Sequence, residues 1–336
     1  MTYSPSTLAA LLLAATLLLP CCGDDTPADR PDPVTTTSVR PDRPPVVKPV
    51  PRIDADSAYA YVARQVAFGP RVMNTPAHAA TQRWLVDKLT AHGAEVEEQS
   101  FTATAFDGTT LNGTNVIGRY HPERRDRVAL YAHWDTRPFA DSPLEDDAEA
   151  VVNGADDGAS GVGVLLEIAR HLGQDAPDIG VDVIFLDAED YGTSGDANSY
   201  ALGAQHYART LGEVRPMYGI LLDMVGAKDA RFTMEGVSMR YAPGVMEKVW
   251  KLAESMKFGR YFSRLPGRAV TDDHYFINTI AGVPTIDIIN NPPGDHGFVD
   301  HWHTGDDNMD IIDRETLRVV GQVVAATVYR EAARTL

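Results

Sequence analysis

Short apolar runs at 127–132, 181–186, 219–222 and 283–289 punctuate the chain, with helix-like periodicity between them. Runs of this length, bounded by turn formers, read as strands buried on both faces. Strand and helix in alternation argue for a mostly parallel sheet with helices on either side. Among the helices, Gly158 to Leu172 carries Val162, Leu165, Leu166 and Ala169 at helical spacing. Asp54 to Phe68 and Ala77 to His92 behave likewise, the second with Trp84, Leu85 and Leu89 on one face. Leu317 to Ala333 closes the unit, with Val320, Val323, Val324, Thr327 and Val328 towards the core. Val96 to Thr104 and Asn115 to Tyr120 read as strands that pair antiparallel, which makes the sheet mixed. The expectation is one α/β domain over residues 53–336, a three-layer α/β/α arrangement with a mixed, mostly parallel central sheet.

The ends of these runs carry chemistry. His133 follows the first, Glu189 and Asp190 the second, and Asp223 the third. In an open α/β sheet, ligands bind in the crevice outside the carboxyl ends of the strands. Asp157 lies just before a helix start, and Trp302-His303-Thr304 comes near the end of the chain. One aspartate at such a place is ordinarily a cap or a turn former. Two adjacent acids directly after a buried strand need another reason. Together these residues supply imidazole nitrogens, carboxylate oxygens and a spare base, which are the parts required by a zinc ion with an open coordination position. The acidic segment Phe139 to Val152, with Asp141, Glu145, Asp146, Asp147 and Glu149, reads as a solvated loop. His296 and His301 fall in the loop ahead of His303, and His206 reads as packing on a helix.

Several segments carry a family resemblance: Ala-His-Trp-Asp-Thr at 132–136, Gly-Ala-Asp-Asp-Gly-Ala-Ser-Gly at 154–161, Asp-Ala-Glu-Asp at 187–190, and His303-Thr304-Gly305-Asp306-Asp307-Asn308. They resemble the zinc aminopeptidase superfamily that also contains the glutaminyl-peptide cyclotransferases. The cyclase branch is the nearer match, through Phe68-Gly-Pro-Arg-Val72, Thr75-Pro-Ala-His78, Leu222-Asp223-Met-Val-Gly-Ala227, Asp272-Asp273-His274 and Trp302. That resemblance implies one catalytic zinc on Asp157, Asp190 and His303, with Glu189 as the proton shuttle. It also implies that Asp223 and Asp273 flank Glu189, and that Trp302 forms a wall for an N-terminal glutamine closed to pyroglutamate with release of ammonia. The substrates would be peptides or proteins beginning in glutamine. The alternative in the same fold is a two-zinc aminopeptidase, in which His133 and Asp223 hold a second zinc, Asp157 bridges, and Asp135 orients His133. An inactive binding module of the same fold would lack a ligand or the base, and none is missing here.

Two departures from the pattern stand out. Position 190 is Asp where animal cyclases and the peptidases usually carry Glu, a ligand shorter by one methylene. The loop 193–199 lacks the tryptophan that animal cyclases place after the acidic pair. Phe139, Tyr191 and Phe298 are candidates to complete the substrate pocket, Phe298 foremost.

The chain begins with an apolar stretch, Leu8 to Leu19, broken only by Thr16 and ending at Pro20-Cys21-Cys22-Gly23. It is too short to span a bilayer comfortably and resembles a bacterial lipoprotein signal over residues 1–22, lipidated at Cys21 or Cys22. No Lys or Arg precedes the apolar run, and a plain cleaved secretory signal is the alternative. Residues 23–52 are rich in Pro and Asp and cannot bury enough surface to fold, so they read as an extended linker. Both cysteines lie in the leader, so the domain is held by its core without a disulfide. The expected place is the cell envelope, on a lipid anchor, as a monomer. With 47 acidic against 30 basic residues and a formal charge of −17, the field of the chain opposes contact with nucleic acid.

Overall fold

The computed structural model describes residues 47–292 and 298–336. The leader with Cys21 and Cys22, most of the linker, and His296 lie outside the described residues. From Lys48 onward the chain already lies on the domain: Lys48 Nζ reaches Asp175 Oδ1 at 2.5 Å, and the Pro51 carbonyl accepts a hydrogen bond from Gln322.

A six-stranded sheet forms the middle layer. Its strands are β1 (Glu95–Thr104), β2 (Thr110–Tyr120), β3 (Arg127–His133), β4 (Gly180–Leu186), β5 (Tyr218–Asp223) and, after a two-stranded excursion of β6 (Phe232–Met234) and β7 (Phe262–Pro266), β8 (Thr285–Ile289). Their order is β1-β2-β4-β3-β5-β8. β1 and β2 pair antiparallel, β2 meets β4 antiparallel, and the β4-β3-β5-β8 core is parallel. Every residue of β3, β4, β5 and β8 is buried, as parallel strands covered on both faces must be. The edge strand β1 is mostly open to solvent and carries four acidic and amide side chains that discourage edge pairing.

One face is covered by α1 (Ala55–Val66), α2 (Pro76–Ala91), α3 (Ala159–Asp175) and α8 (Arg314–Ala332). The other is covered by α4 (Leu202–Thr210) and α7 (Asp273–Phe276) with the π-type turn Ile277–Ala281, packed on Tyr131, Ile184 and Leu221. The mixed three-layer α/β/α expectation holds. The helices α5 (Gly236–Tyr241) and α6 (Pro243–Ser255) belong to the excursion between β6 and β7. Helix starts follow local chemistry: Asp54 caps α1 through the Ser57 N–H, Thr75 caps α2 ahead of Pro76, and Asp313 caps α8 through the Thr316 N–H. α8 is buried along Val320, Val323, Val324 and Val328, each contributing about 1.5–3 kcal/mol relative to exposure.

Candidate metal centre

Sheet register brings the chemistry together. His133 pairs with Leu186 at the end of β4, while Tyr131 pairs with Leu221, so His133 sits level with Asp223 at the mouth of the parallel core. The turns that follow are unusual. Ala188, Met224 and His303 all adopt positive φ, at 54°, 47° and 56°. Left-handed backbone in residues with a Cβ is uncommon, and it collects at functional sites. Here it bends the chain sharply after β4 and β5 and turns the 303 loop inward.

Asp157 comes from the turn before α3. Gly158, at φ 90°, must be glycine: a Cβ there would lie 2.9 Å from both the Asp135 carbonyl oxygen and His133 Cε1. Gly161 brings α3 against β5 so closely that a Cβ would meet the Leu222 oxygen at 2.3 Å. The backbone N–H groups of Asp156 and Asp157 donate to Asp307 at 2.7 and 3.2 Å. Asp156 in turn accepts from the N–H groups of Gly226 and Ala227 and from His301 Nε2 at 2.9 Å. Arg71, fully buried, donates to the carbonyls of Trp134, Asn153 and Gly154. These contacts tie β3, the Asp157 turn, the turn after β5 and the 303 loop into one frame.

Within that frame two donor groups form, joined through Asp157. In the first, Asp157, Asp190 and His303 offer ligand atoms all within 4.8 Å of one another, with His303 Nε2 at 3.1 Å from Asp190 Oδ1 and 3.8 Å from Asp157 Oδ2. In the second, His133 Nε2 lies 2.9 Å from Asp157 Oδ1 and 3.3 Å from Asp223 Oδ1. Asp190 Oδ2 is buried without a hydrogen-bond partner, as an atom waiting for a metal would be. Hard and borderline donors in such a cluster, two carboxylates and an imidazole, suit zinc.

The electrostatics agree. Burial disfavours charge on His133 and His303, yet the surrounding carboxylates outweigh it and raise both, His303 to about 9. The site thus calls for positive charge. Glu189, half-buried beside Asp190, is pushed well above the usual carboxylate range by desolvation first, then by the charges of Asp190 and Asp272. Asp223 rises for the same primary reason, with Asp157 adding to it. Asp273 is fully buried, and neither of its oxygens has a hydrogen-bond partner.

Asp135 sends its two oxygens to the backbone N–H groups of Glu189 and Asp190, at 3.0 and 3.1 Å. Its distance to His133 Nδ1 is 3.5 Å, and that nitrogen has no hydrogen-bond partner. The carboxylate expected to steer His133 is therefore committed chiefly to the acidic turn.

A cleft of about 640 Å³ opens over these groups. Trp302 and Phe298 line it and stack at 4.5 Å between ring centroids, and Trp302 stacks on His303 at 3.7 Å. Tyr200 also lines it, a residue the sequence reading passed over; its place after a turn-rich loop gave no periodic signal. Phe139 and Tyr191 do not line the cleft. They gather with Phe106 in a separate aromatic cluster, with centroids 5.7 to 6.3 Å apart. His206 stacks on Phe101 from α4, away from the cleft.

Asp141 corrects the reading of the acidic loop as merely solvated. It accepts from His303 Nδ1 at 2.9 Å and is held by a bidentate Arg137, whose guanidinium also donates to the carbonyls of Asp190 and Gly192.

The sequence model described as Peptidase family M28 matches residues 115–328. A solved structure of Bacteroides thetaiotaomicron glutaminyl cyclase, bound to N-acetylhistamine, is 49% identical, with a TM-score of 0.81 over 84% of this chain and 99% of that one. Aminopeptidase YwaD of Bacillus subtilis is 29% identical over 69% of this chain. The glutaminyl-peptide cyclotransferase of Bos taurus is 25% identical over 63% of this chain. The chain spans 47% and 64% of the length of those two curated relatives.

Proposed function

From the premise that this chain belongs to peptidase family M28, we propose that it is a zinc-dependent glutaminyl-peptide cyclotransferase acting on peptides or proteins with N-terminal glutamine. What supports the choice within the family is 44–49% identity to solved glutaminyl cyclases of three organisms, over at least 98% of each chain, against one solved structure of like identity named a leucine aminopeptidase precursor. The donor set Asp157, Asp190 and His303, with Asp190 Oδ2 unpartnered, supports one zinc at that position. Bound there, the ion supplies Lewis acidity to the glutamine γ-carbonyl.

The chain's own residues do the rest. Trp302 and Phe298 give the glutamine side chain a flat wall and shut water from one side of it. Glu189 accepts a proton from the α-amine as the amine nitrogen bonds to the side-chain amide carbon, Cδ. It then delivers that proton to the amide nitrogen as the C–N bond breaks and ammonia leaves. A carboxyl raised by burial and by Asp190 and Asp272 has the intermediate basicity both transfers need. Asp273 adds to that basicity through its charge, and Asp223, which lines the same cleft, is assigned beside it. Asp135 fixes the backbone that aims Glu189 and Asp190 together.

One observation favours a second reading, a two-zinc aminopeptidase: His133, Asp157 and Asp223 form a complete further donor group. The deciding experiment incubates the zinc-loaded protein with a short glutamine-initiated peptide and weighs the products. Loss of ammonia from an intact chain supports the cyclase. Release of free glutamine and a shortened peptide supports the aminopeptidase.

Export and anchoring through Cys21 or Cys22 belong to the same proposal and rest on the leader alone. Among the described residues no helix is long and apolar enough to cross a membrane.

A further inference from the structure

The segment Thr75-Pro76-Ala77-His78 opens α2 and takes no part in the reaction above, yet its histidine reaches the back of the turn that carries Glu189 and Asp190. His78 and Asp187 are both buried. His78 Nε2 lies 2.9 and 3.1 Å from the two oxygens of Asp187. The same carboxylate accepts from the Ala188 N–H through Oδ1 at 2.9 Å, and from the Thr114 N–H of β2 through Oδ2 at 2.7 Å. Both oxygens are thus acceptors, so the proton of the imidazole is assigned to Nε2, where it bridges them. Trp134 stacks on the His78 ring at 4.3 Å between centroids, with 16° between the planes, and its indole N–H donates to the Thr114 carbonyl. The ring therefore has a fixed plane as well as a fixed partner.

These bonds complete a clamp on one stretch of backbone. The N–H groups of Ala188, Glu189 and Asp190 all go to carboxylates, the first to Asp187 and the other two to Asp135. The carbonyls of Asp187, Ala188 and Glu189 accept from the N–H groups of Gly203, Leu202 and Ala201, at 3.0, 2.9 and 2.8 Å. Between them Ala188 holds a φ of 54°, which a residue with a Cβ keeps only where its surroundings over-determine it. Asp187 is the carboxylate bonded directly to that strained residue. Buried charge needs more than amide N–H groups to hold it in place, and His78 supplies the further donor. A metal ion would hold Asp190 from the cleft side, whereas Glu189 is not a ligand and takes its aim from the backbone.

We propose that His78 and Asp187 are a positioning pair for the proton transfer: His78 fixes the Asp187 carboxylate, and Asp187 fixes the turn that aims Glu189. The assignment rests on Glu189 being the shuttle of the reaction proposed above. The competing account is that His78 only packs against Trp134. Two variants of the full-length protein separate them. His78→Gln keeps an N–H donor near the place of Nε2 and loses the ring, while His78→Leu keeps apolar bulk and loses the donor. At saturating zinc, His78→Leu should lower kcat for a glutamine-initiated peptide by about 10–100-fold with KM unchanged, the cost of a misplaced reacting group. His78→Gln should recover most of that loss. Amide hydrogen exchange read by mass spectrometry gives a measure independent of the reaction: exchange across 188–190 should quicken in His78→Leu and stay near the parent in His78→Gln. A kcat unchanged in His78→Leu, or lowered equally in both variants, would overturn the proposal in favour of packing. Should His78→Leu not fold, Asp187→Asn replaces it, since the amide keeps the shape and turns an NH2 group on one of the two backbone donors; unchanged kcat and exchange there would overturn the proposal equally. A parent protein that releases no ammonia refutes the cyclase reading instead, and the exchange comparison then decides the clamp alone.

Discussion

Asp141 accepts a hydrogen bond from Nδ1 of His303 at 2.9 Å, and this one contact decides which nitrogen of the imidazole faces Asp190 and the cleft. The carboxylate is itself held by Arg137, which grips the backbone on either side of Tyr191 through the carbonyls of Asp190 and Gly192. A loop between β3 and α3 therefore orients a donor that lies 162 residues further along the chain.

Asp141→Ala should weaken zinc binding by about 10–100-fold while leaving the fold intact, as loss of an outer carboxylate on a metal-binding histidine commonly does. Competition with a chromophoric chelator measures it. Unchanged affinity would show that the Trp302 stack alone suffices to hold the ring.

Glu189→Gln should retain zinc and the folded structure and lower kcat by about 10²–10⁴-fold, the range that a positioned proton-transfer group contributes. Steady-state ammonia release reads the rate, and elemental analysis reads the metal. Turnover within a few-fold of the parent would remove Glu189 from the shuttle role.

His133→Ala separates the one-zinc from the two-zinc reading. With a single zinc on Asp157, Asp190 and His303, the variant keeps that ion and measurable cyclisation. Loss of all metal and all activity in a protein that still folds would favour the two-zinc centre.

Asp135→Ala leaves the N–H groups of Glu189 and Asp190 buried without acceptors, at about 1–3 kcal/mol each. The urea midpoint should fall accordingly, and kcat should fall with it, because the acid and the ligand share that turn. A drop in stability with unchanged kcat would limit Asp135 to a structural part.

Acid should weaken the fold partly through Glu235. Burial works against its ionisation, but the His274 ring and the Ser238 hydroxyl and N–H outweigh burial and bring the carboxyl down from 4.5 to about 2. The stabilisation is fully present above the ordinary glutamate value and is lost as pH falls from there through about 2. Unfolding midpoints of the parent and of Glu235→Gln should accordingly converge between pH 5 and pH 3. A gap that stays constant over that range would contradict the assignment.

The parallel core was legible in the chain because strands buried on both sides need long apolar runs, and 181–186, interrupted by Asp182 alone, and 219–222 show them. His133, Glu189, Asp190 and Asp223 were legible because they follow such runs directly. The excursion through β6, α5, α6 and β7 was not, since its strands are short and its helices share no single long period. Asp141 was hidden for another reason. Five acids stand between 141 and 149, and nothing local distinguishes the one that reaches a histidine from the other four. Tyr200 was hidden likewise, because its exposure to the cleft depends on how the loop after Asp190 folds back.

The register of β3 against β4 and β5 has a consequence for assembly as well as for chemistry. Side chains alternate faces along a strand, so pairing one residue out of step would turn His133 or Asp223 away from Asp157. A misaligned chain could still bury much of its valine and leucine, yet it would offer an ion no complete set of donors. A ligand that binds only the correctly paired molecule enriches that molecule by mass action. The metal centre thus acts as a proofreader of strand alignment, and the yield of native protein on refolding should depend on the zinc supplied.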